Sequence, residues 1–248
     1  GVLINYLAKA ITDSTKASIE IFDKNKKSVR KFATDAKDKK DKMELQIGMN
    51  QFVWDMNYPG ADKVEGQILW HGTVGATPAA PGRYTYKIKL DKDSVENDFE
   101  IKANPTYNLT QKDYEDLITV KDKFNEIQKG IKTINGIRDQ LNAFATLQGK
   151  DYPKDLKQKA DTIIKQMTAI EEALHQTKAK SGQDVLNYPI RLDDKLSGLY
   201  DFASSGNAAP ARQVKDAYVD LSTKIDAELA KLKSLTNNDV IGVIEKKD

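Results

Sequence analysis

Apolar and polar positions alternate along the first hundred residues, and then the period changes. Between residues 2 and 102 apolar side chains recur at every second position, and turn-forming residues interrupt them at short intervals. This is the pattern of short antiparallel strands with one buried face. Residues 2–7 alternate weakly, whereas residues 17–22 place Ile19 and Ile21 on one face and Ser18 and Glu20 on the other. Asp23-Lys24-Asn25-Lys26 follows. Asp and Asn tolerate tight turns by bonding their own backbone, so 17–22 and 28–32 are expected to form a hairpin. A further strand is expected at 51–54, entering a long polar loop. The clearest alternation is at 82–90, where Tyr84, Tyr86, Ile88 and Leu90 share an inward face. Asp91-Lys92-Asp93-Ser94 turns this strand into another at 95–101, and Asn104-Pro105 ends the β region.

After Pro105 the spacing becomes three and four. Leu117, Val120, Phe124, Ile127, Ile131, Ile134, Ile137, Leu141 and Phe144 form one stripe and predict one long helix. Thr110 with Asp113 three residues on resembles a capping box at its start, and Gly149 marks its end. Asp151-Tyr152-Pro153 opens a second helix with the stripe Leu156, Ala160, Ile163, Met167, Ile170 and Leu174. A shorter third carries Leu192, Leu196, Leu199 and Phe202, and Pro210 opens a fourth with Val214, Tyr218, Leu221, Ile225, Leu229 and Leu232. Val240, Ile241, Val243 and Ile244 form a last apolar cluster of undefined conformation. The chain therefore reads as multidomain, all-β plus all-α: an antiparallel β-sandwich over 1–104, then an up-and-down bundle of three or four helices over 105–248.

Composition narrows the function classes. The 248 residues are 39% hydrophobic, enough for two cores. Lys plus Arg at 39 and Asp plus Glu at 37 nearly cancel and are interspersed, so nucleic acid is not an expected partner. The stretch Lys37-Asp38-Lys39-Lys40-Asp41-Lys42 also mixes signs and has no aromatic residue, which suits a mobile loop. No run of eighteen apolar residues occurs, so membrane insertion is not expected. Without cysteine there are no disulfides and no thiolate metal sites. Gly1, standing in a strand without a preceding Met, is what a piece of a longer chain would show.

Candidate chemistry is sparse. His71 and His175 are the two imidazoles, and no nucleophile elbow, phosphate-binding glycine loop or His-x-x-x-His pair occurs. His175 lies in a helical stretch and is expected to face solvent. His71, beside Trp70 and before Gly72, is of more interest. Glycosidases need two facing carboxylates, and Asp55, Asp62 and Glu65 could supply a pair, although chance proximity accounts for them in so charged a chain. Asp55 is expected to anchor its own turn. Asp91, Asp93 and Asp98 lack the Gly and terminal Glu of a calcium loop. No catalytic residue, cofactor or metal ligand is therefore assigned. Sugars stack on exposed aromatic rings, and Trp54, Tyr58, Trp70 and Tyr84 all lie in the first hundred residues. Trp54 and Tyr84 occupy strand positions that a small sandwich needs for its core. Trp70 and Tyr58 remain as the candidate ligand-binding pair.

Two resemblances extend this reading. Ile19-Glu20-Ile21-Phe22-Asp23, Ser28-Val29-Arg30, Gly48-Met49-Asn50 before Trp54-Asp55, and Pro81-Gly82-Arg83-Tyr84 resemble, in order and spacing, the immunoglobulin-like module of flagellar hook-capping proteins. The chain departs from that family after Trp54-Asp55, where it lacks the Gly-rich turn, and in the charged insertion at 34–42. In the second half, Gln140-Leu141, Leu186-Asn187-Tyr188-Pro189 and residues 192–199 resemble the C-terminal helical region of secreted bacterial proteins with sortilin-like or neuraminidase-repeat propellers. Residues 1–7 look like the strand that follows those propellers. The resemblance implies an immunoglobulin-like sandwich and an extracytoplasmic location, whether periplasmic, cell-surface or secreted. It also implies a non-catalytic accessory region that docks or extends the propeller domains of the same parent chain. The glycosyl hydrolase label of such parents would belong to the propellers. A carbohydrate-binding module using the loop aromatics is the alternative, with glycan as partner, and an autonomous glycoside hydrolase is the weakest reading.

Overall fold

The computed structural model describes residues 1–12, 14–206 and 208–237, so the cluster Val240, Ile241, Val243 and Ile244 lies outside the described residues. The chain is α+β; the described residues form eight strands followed by four α-helices. It divides into two compact units. Unit 1 comprises Gly1–Gly60 and Gly75–Glu115, and unit 2 comprises Ala61–Val74 and the chain from Asp116 onward. The units are thus not the consecutive stretches 1–104 and 105–248. A segment from inside the β region belongs with the helices.

In unit 1, β1 (Val2–Ala8) pairs antiparallel with β4 (Gly48–Trp54), with Val2 opposite Trp54 and Ala8 opposite Gly48. A four-stranded antiparallel sheet has the order β3-β2-β7-β8, from β2 (Ala17–Phe22), β3 (Ser28–Ala33), β7 (Gly82–Leu90) and β8 (Asp93–Ile101). The short strands β5 (Asn57–Tyr58) and β6 (Thr77–Pro78) pair with each other. The expected hairpin is present. Asp23 Oδ1 accepts the N–H groups of Asn25 and Lys27, and Lys26 adopts φ 60°, the geometry that Asp and Asn turns support.

One apolar cluster draws on both larger sheets: Ile4 and Trp54 from one, Ile19, Ile21, Val29, Phe32 and Tyr84 from the other. Trp54 is fully buried, donates Nε1–H to the Asn57 carbonyl at 3.2 Å, and meets Tyr84 and Phe99 at ring separations of 5.8 and 6.0 Å. The core role expected for Trp54 and Tyr84 is therefore observed. The charged stretch 37–42 differs from the mobile loop expected of it. Lys39–Asp41 forms one 3-10 turn capped by Asp38, Arg30 binds Asp41 and the Lys40 carbonyl at 3.1 Å, and Met43 is buried beyond it. The guanidinium, held over the Phe32 ring at 4.8 Å, organises the charges into a cover for the sheet edge.

The helices are α1 (Gln111–Gln148), α2 (Lys154–Leu174), α3 (Leu192–Ser204) and α4 (Arg212–Leu235). The Thr110–Asp113 capping box forms at the start of α1. The Asp113 carboxylate accepts the Thr110 N–H at 2.9 Å and its hydroxyl at 2.7 Å, and the Asp113 N–H donates to Thr110 Oγ1. In unit 2, Phe124, Ile127, Ile131 and Ile134 of α1 pack with Ile163, Met167, Leu174, Leu196 and Ile225 in one core. Gly130 sits where a Cβ would come within 2.8 Å of a Leu229 methyl, so a side chain there would have to displace that methyl of α4. Arg138 binds Glu171 at 2.5 Å, and Lys123 binds Asp226 at 2.7 Å.

Because Trp54 joins the two sheets in one core, Trp54→Ala is expected to destabilise unit 1 by about 3–5 kcal/mol. Urea unfolding followed by tyrosine fluorescence measures this, and a loss below about 1 kcal/mol would contradict the packing described.

Candidate functional site

The most densely bonded polar region of unit 2 surrounds the segment Ala61–Val74. The segment has no strand or helix of its own, so its buried N–H groups need partners from elsewhere. Its ends are tied together by the Ala61 N–H donating to the Val74 carbonyl at 2.9 Å. Helix α1 receives the first part. Asn125 Oδ1 accepts the Asp62 N–H at 2.8 Å and the fully buried Gln128 accepts the Val64 N–H at 3.2 Å. These amides stand three residues apart, one turn along the same helix face. Val64 and Val74 are buried in the helical core, with Ala61 and Leu69 packed against it.

Helix α3 receives the second part. Asp194 accepts two successive backbone N–H groups, from Trp70 at 2.8 Å on one oxygen and from His71 at 2.9 Å on the other. Ser197 donates its hydroxyl to the Gly72 carbonyl at 2.8 Å. The turn closes through the Gly72 N–H to the Leu69 carbonyl, with Gly72 at φ 74°. The His71 ring lies against α3 at Gly198, where a Cβ would approach it to 2.8 Å. Asp194, Ser197 and Gly198 are thus a carboxylate, a hydroxyl and a gap, at the spacing that puts them on one helix face.

Behind this clamp lies a second carboxylate. Asp193 has no exposed surface; its Oδ2 lies 2.6 Å from His175 Nδ1, and its Oδ1 accepts the Asp194 N–H at 2.7 Å. Burial pushes the Asp193 carboxyl above the ordinary carboxylate range, and the His175 ring and the Asp194 N–H pull it partly back. An Asp–His pair is the orienting half of an acyl-transfer triad. Here Ser197, the hydroxyl one helical turn from Asp193, is committed to Gly72 instead. The acid and base groups closest to one another hold the end of α2, the first turn of α3 and the inserted segment in register.

The expected site residues belong to different units. Trp70, at 50% exposure, is in unit 2 with its N–H on Asp194. Tyr58 is in β5 of unit 1 and half-buried, near Tyr84, whose hydroxyl donates to the Ala80 carbonyl at 2.7 Å and is pushed upward first by burial and then by Tyr58. Asp55 caps its own turn as expected, accepting the Asn57 N–H at 3.1 Å, while Asp62 lies in the other unit, 3.6 Å from Lys132. Among the described residues no group of three or more His, Cys, Asp or Glu is placed to hold a metal. Asp91 and Asp98 accept the Lys16 N–H and the Thr85 hydroxyl. His175 corrects the sequence expectation: it follows the last turn of α2, is buried, and faces Asp193. Asp193 and Asp194 were not singled out by the sequence. Two adjacent acids just after the start of an apolar stripe were the available signal.

No protein-family model, curated protein or solved structure matches the chain. No helix among the described residues is long and apolar enough to cross a membrane.

Asp194→Asn replaces one acceptor oxygen by an N–H₂ facing a backbone N–H. It is expected to cost about 1–3 kcal/mol locally, so hydrogen exchange at the Trp70 and His71 amides should rise roughly tenfold or more. Unchanged exchange at both amides would show that Asp194 does not hold the segment.

Proposed function

We propose that this chain is a non-catalytic docking region, an immunoglobulin-like sandwich joined to an up-and-down helical bundle. It belongs to an exported bacterial protein and docks that protein's propeller domains. The sandwich reading is supported by one core shared between two sheets, and the bundle reading by four helices around a second core. The propeller and the extracytoplasmic setting rest on the sequence resemblance. The non-catalytic reading is supported by the use of His175, Asp193, Asp194 and Ser197 as partners of the fold itself.

The observation that carries docking is the two-sided apolar character of the β1–β4 ribbon. Ile4 and Trp54 face the core. On the other face Leu3 is 60% exposed, Leu7 56%, Met49 66% and Val53 53%, and they stand opposite one another as the pairs Leu3–Val53 and Leu7–Met49. The polar pair Asn5–Gln51 lies between the two apolar pairs on this face, with Gln51 Nε2 donating to Asn5 Oδ1 at 3.1 Å; single exposed apolar residues are ordinary, whereas several on one sheet face are what a covered surface would carry. The resemblance supplies the cover, since the strand it likens to a post-propeller strand is β1 itself. Met49→Lys and Val53→Lys are expected to leave the melting temperature nearly unchanged and to weaken binding to the separately prepared propeller of the parent chain roughly tenfold or more by calorimetry. Binding unaffected by both, or absent from the unsubstituted chain, would sink this reading.

A second reading, glycan binding, is favoured by the clamp beneath Trp70. A half-exposed indole on a turn fixed by Asp194 and Ser197 presents a pre-organised stacking surface. Tyr58, the second aromatic expected to contribute, belongs to unit 1. Trp70→Ala is expected to abolish retardation on polysaccharide affinity gels without changing the unfolding midpoint. No retardation of the unsubstituted chain on a panel of polysaccharides would remove it.

A further inference from the structure

The β1–β4 ribbon is open at its edges as well as on its outward face. Among the described residues β1 and β4 pair with each other and with no other strand. An edge strand displays unpaired N–H and C=O groups, and stable folds guard such edges with charge, proline, bulges or cover. The edges of the four-stranded sheet follow that rule. Strand β3 carries Arg30 and Lys31 and is flanked by the 3-10 turn at Lys39–Asp41, while β8 carries Asp93, Glu96, Asp98 and Glu100. In a chain that is 31% charged, neither β1 (VLINYLA) nor β4 (GMNQFVW) has a charged residue or a proline.

The two ribbon edges are not equivalent. Strand β4 begins at Gly48 with φ 95°, and the Asn50 side chain turns back to bond the Gln46 N–H and the Gln46 and Gly48 carbonyls. Strand β1 has no glycine, and three of its seven residues, Val2, Ile4 and Tyr6, are strong strand formers facing the core side. Its sequence is also self-complementary. Leu3 and Leu7 flank Asn5 symmetrically on the outward face, and Ile4 and Tyr6 flank it on the other.

We propose that β1 completes its free edge with β1 of a second copy of this chain, antiparallel and centred on Asn5. In that register Asn5 meets Asn5, Leu3 meets Leu7, Ile4 meets Tyr6 and Val2 meets Ala8, so all seven strand residues are paired. Facing residues of an antiparallel pair point to the same side of the sheet. The two ribbons then form one four-stranded sheet whose outward face carries both copies of Leu3, Leu7, Met49 and Val53. The contact is isologous, closes at two copies, and uses the ribbon edge, leaving the outward face for the docking partner. It goes beyond the docking reading, since the partner and the contacting atoms differ.

Sedimentation velocity of the full chain over a concentration series, without any propeller, tests it. A reversible monomer–dimer equilibrium is expected. Asn5→Lys places two like charges directly opposite across the pair and is expected to raise the dimer dissociation constant roughly tenfold or more. Gln51→Lys changes the same face on β4, directly across from Asn5 within one copy but a strand away from the symmetry axis, and is expected to leave the dimer intact. A chain that stays monomeric throughout the series overturns the proposal. So does loss of the dimer in both variants, which would indicate face-to-face packing, or loss in Gln51→Lys alone, which would move the contact to β4. Each of these results is read without the propeller, so docking through Met49 and Val53 stands or falls separately.

Discussion

Buried backbone N–H groups must be answered, and a segment with no ladder of its own can be answered only by side chains. Residues 61–74 impose this constraint on unit 2. Val64 and Val74 bring apolar area into the helical core, but each buried valine carries its own peptide groups with it. Gln128 on α1 answers the buried Val64 N–H, and Asn125 on the same helix and both oxygens of Asp194 on α3 take the more exposed N–H groups of Asp62, Trp70 and His71. The polar residues in these otherwise apolar stripes are therefore not interruptions of the core. They are the condition for admitting a non-helical segment to it.

The same constraint explains the Asp193–His175 pair. A helix start leaves free N–H groups and favours negative charge, so acids in the first turn of α3 are stabilising there. Asp194 directs its charge to the inserted turn, and Asp193 is left behind it without contact to water. An isolated carboxylate at such a position would be strongly destabilising, and the His175 ring and the Asp194 N–H supply the donors that make it tolerable. Removing the imidazole would leave the buried acid short of a partner, which is why a histidine at the end of α2 bears on how a loop from the β region is held.

Elements defined by local spacing were legible in the sequence. The strand over Gly82–Leu90, the hairpin at Asp23 and the long helix between Thr110 and Gly149 follow from period and caps that involve neighbours a few positions apart. The exchange of 61–74 between units was not legible. Val64, Leu69 and Val74 have no strand or helix period, and the acceptors of the Trp70 and His71 N–H groups lie 124 and 123 positions away. His175 was misread for a related reason: the stripe of α2 indicates which face is buried within the helix, but His175 comes after Leu174, where the backbone has already left helical geometry at φ −135° and ψ 146°. Trp70 and Tyr58 both lie in the polar stretch of the first hundred residues, on either side of the point where the chain changes units at Gly60.

The β1–β4 ribbon was only half legible, and the missing half is the informative one. Residues 2–7 were expected as a strand with weak alternation, and it is weak because Leu3 and Leu7 occupy positions where a half-solvated strand would be polar. Strands with apolar residues on both sides are characteristic of sheets covered on both faces. The regular ladder from Val2–Trp54 to Ala8–Gly48 shows that the irregular pattern does not reflect a defective strand. Where pairing is regular, inward positions are buried and outward positions are apolar but exposed, the weak alternation comes from the outward positions and not from the ladder. The departure from strict alternation at Leu3 and Leu7 is thus the same feature that leaves the outward face of the ribbon apolar, which is the observation the docking proposal starts from.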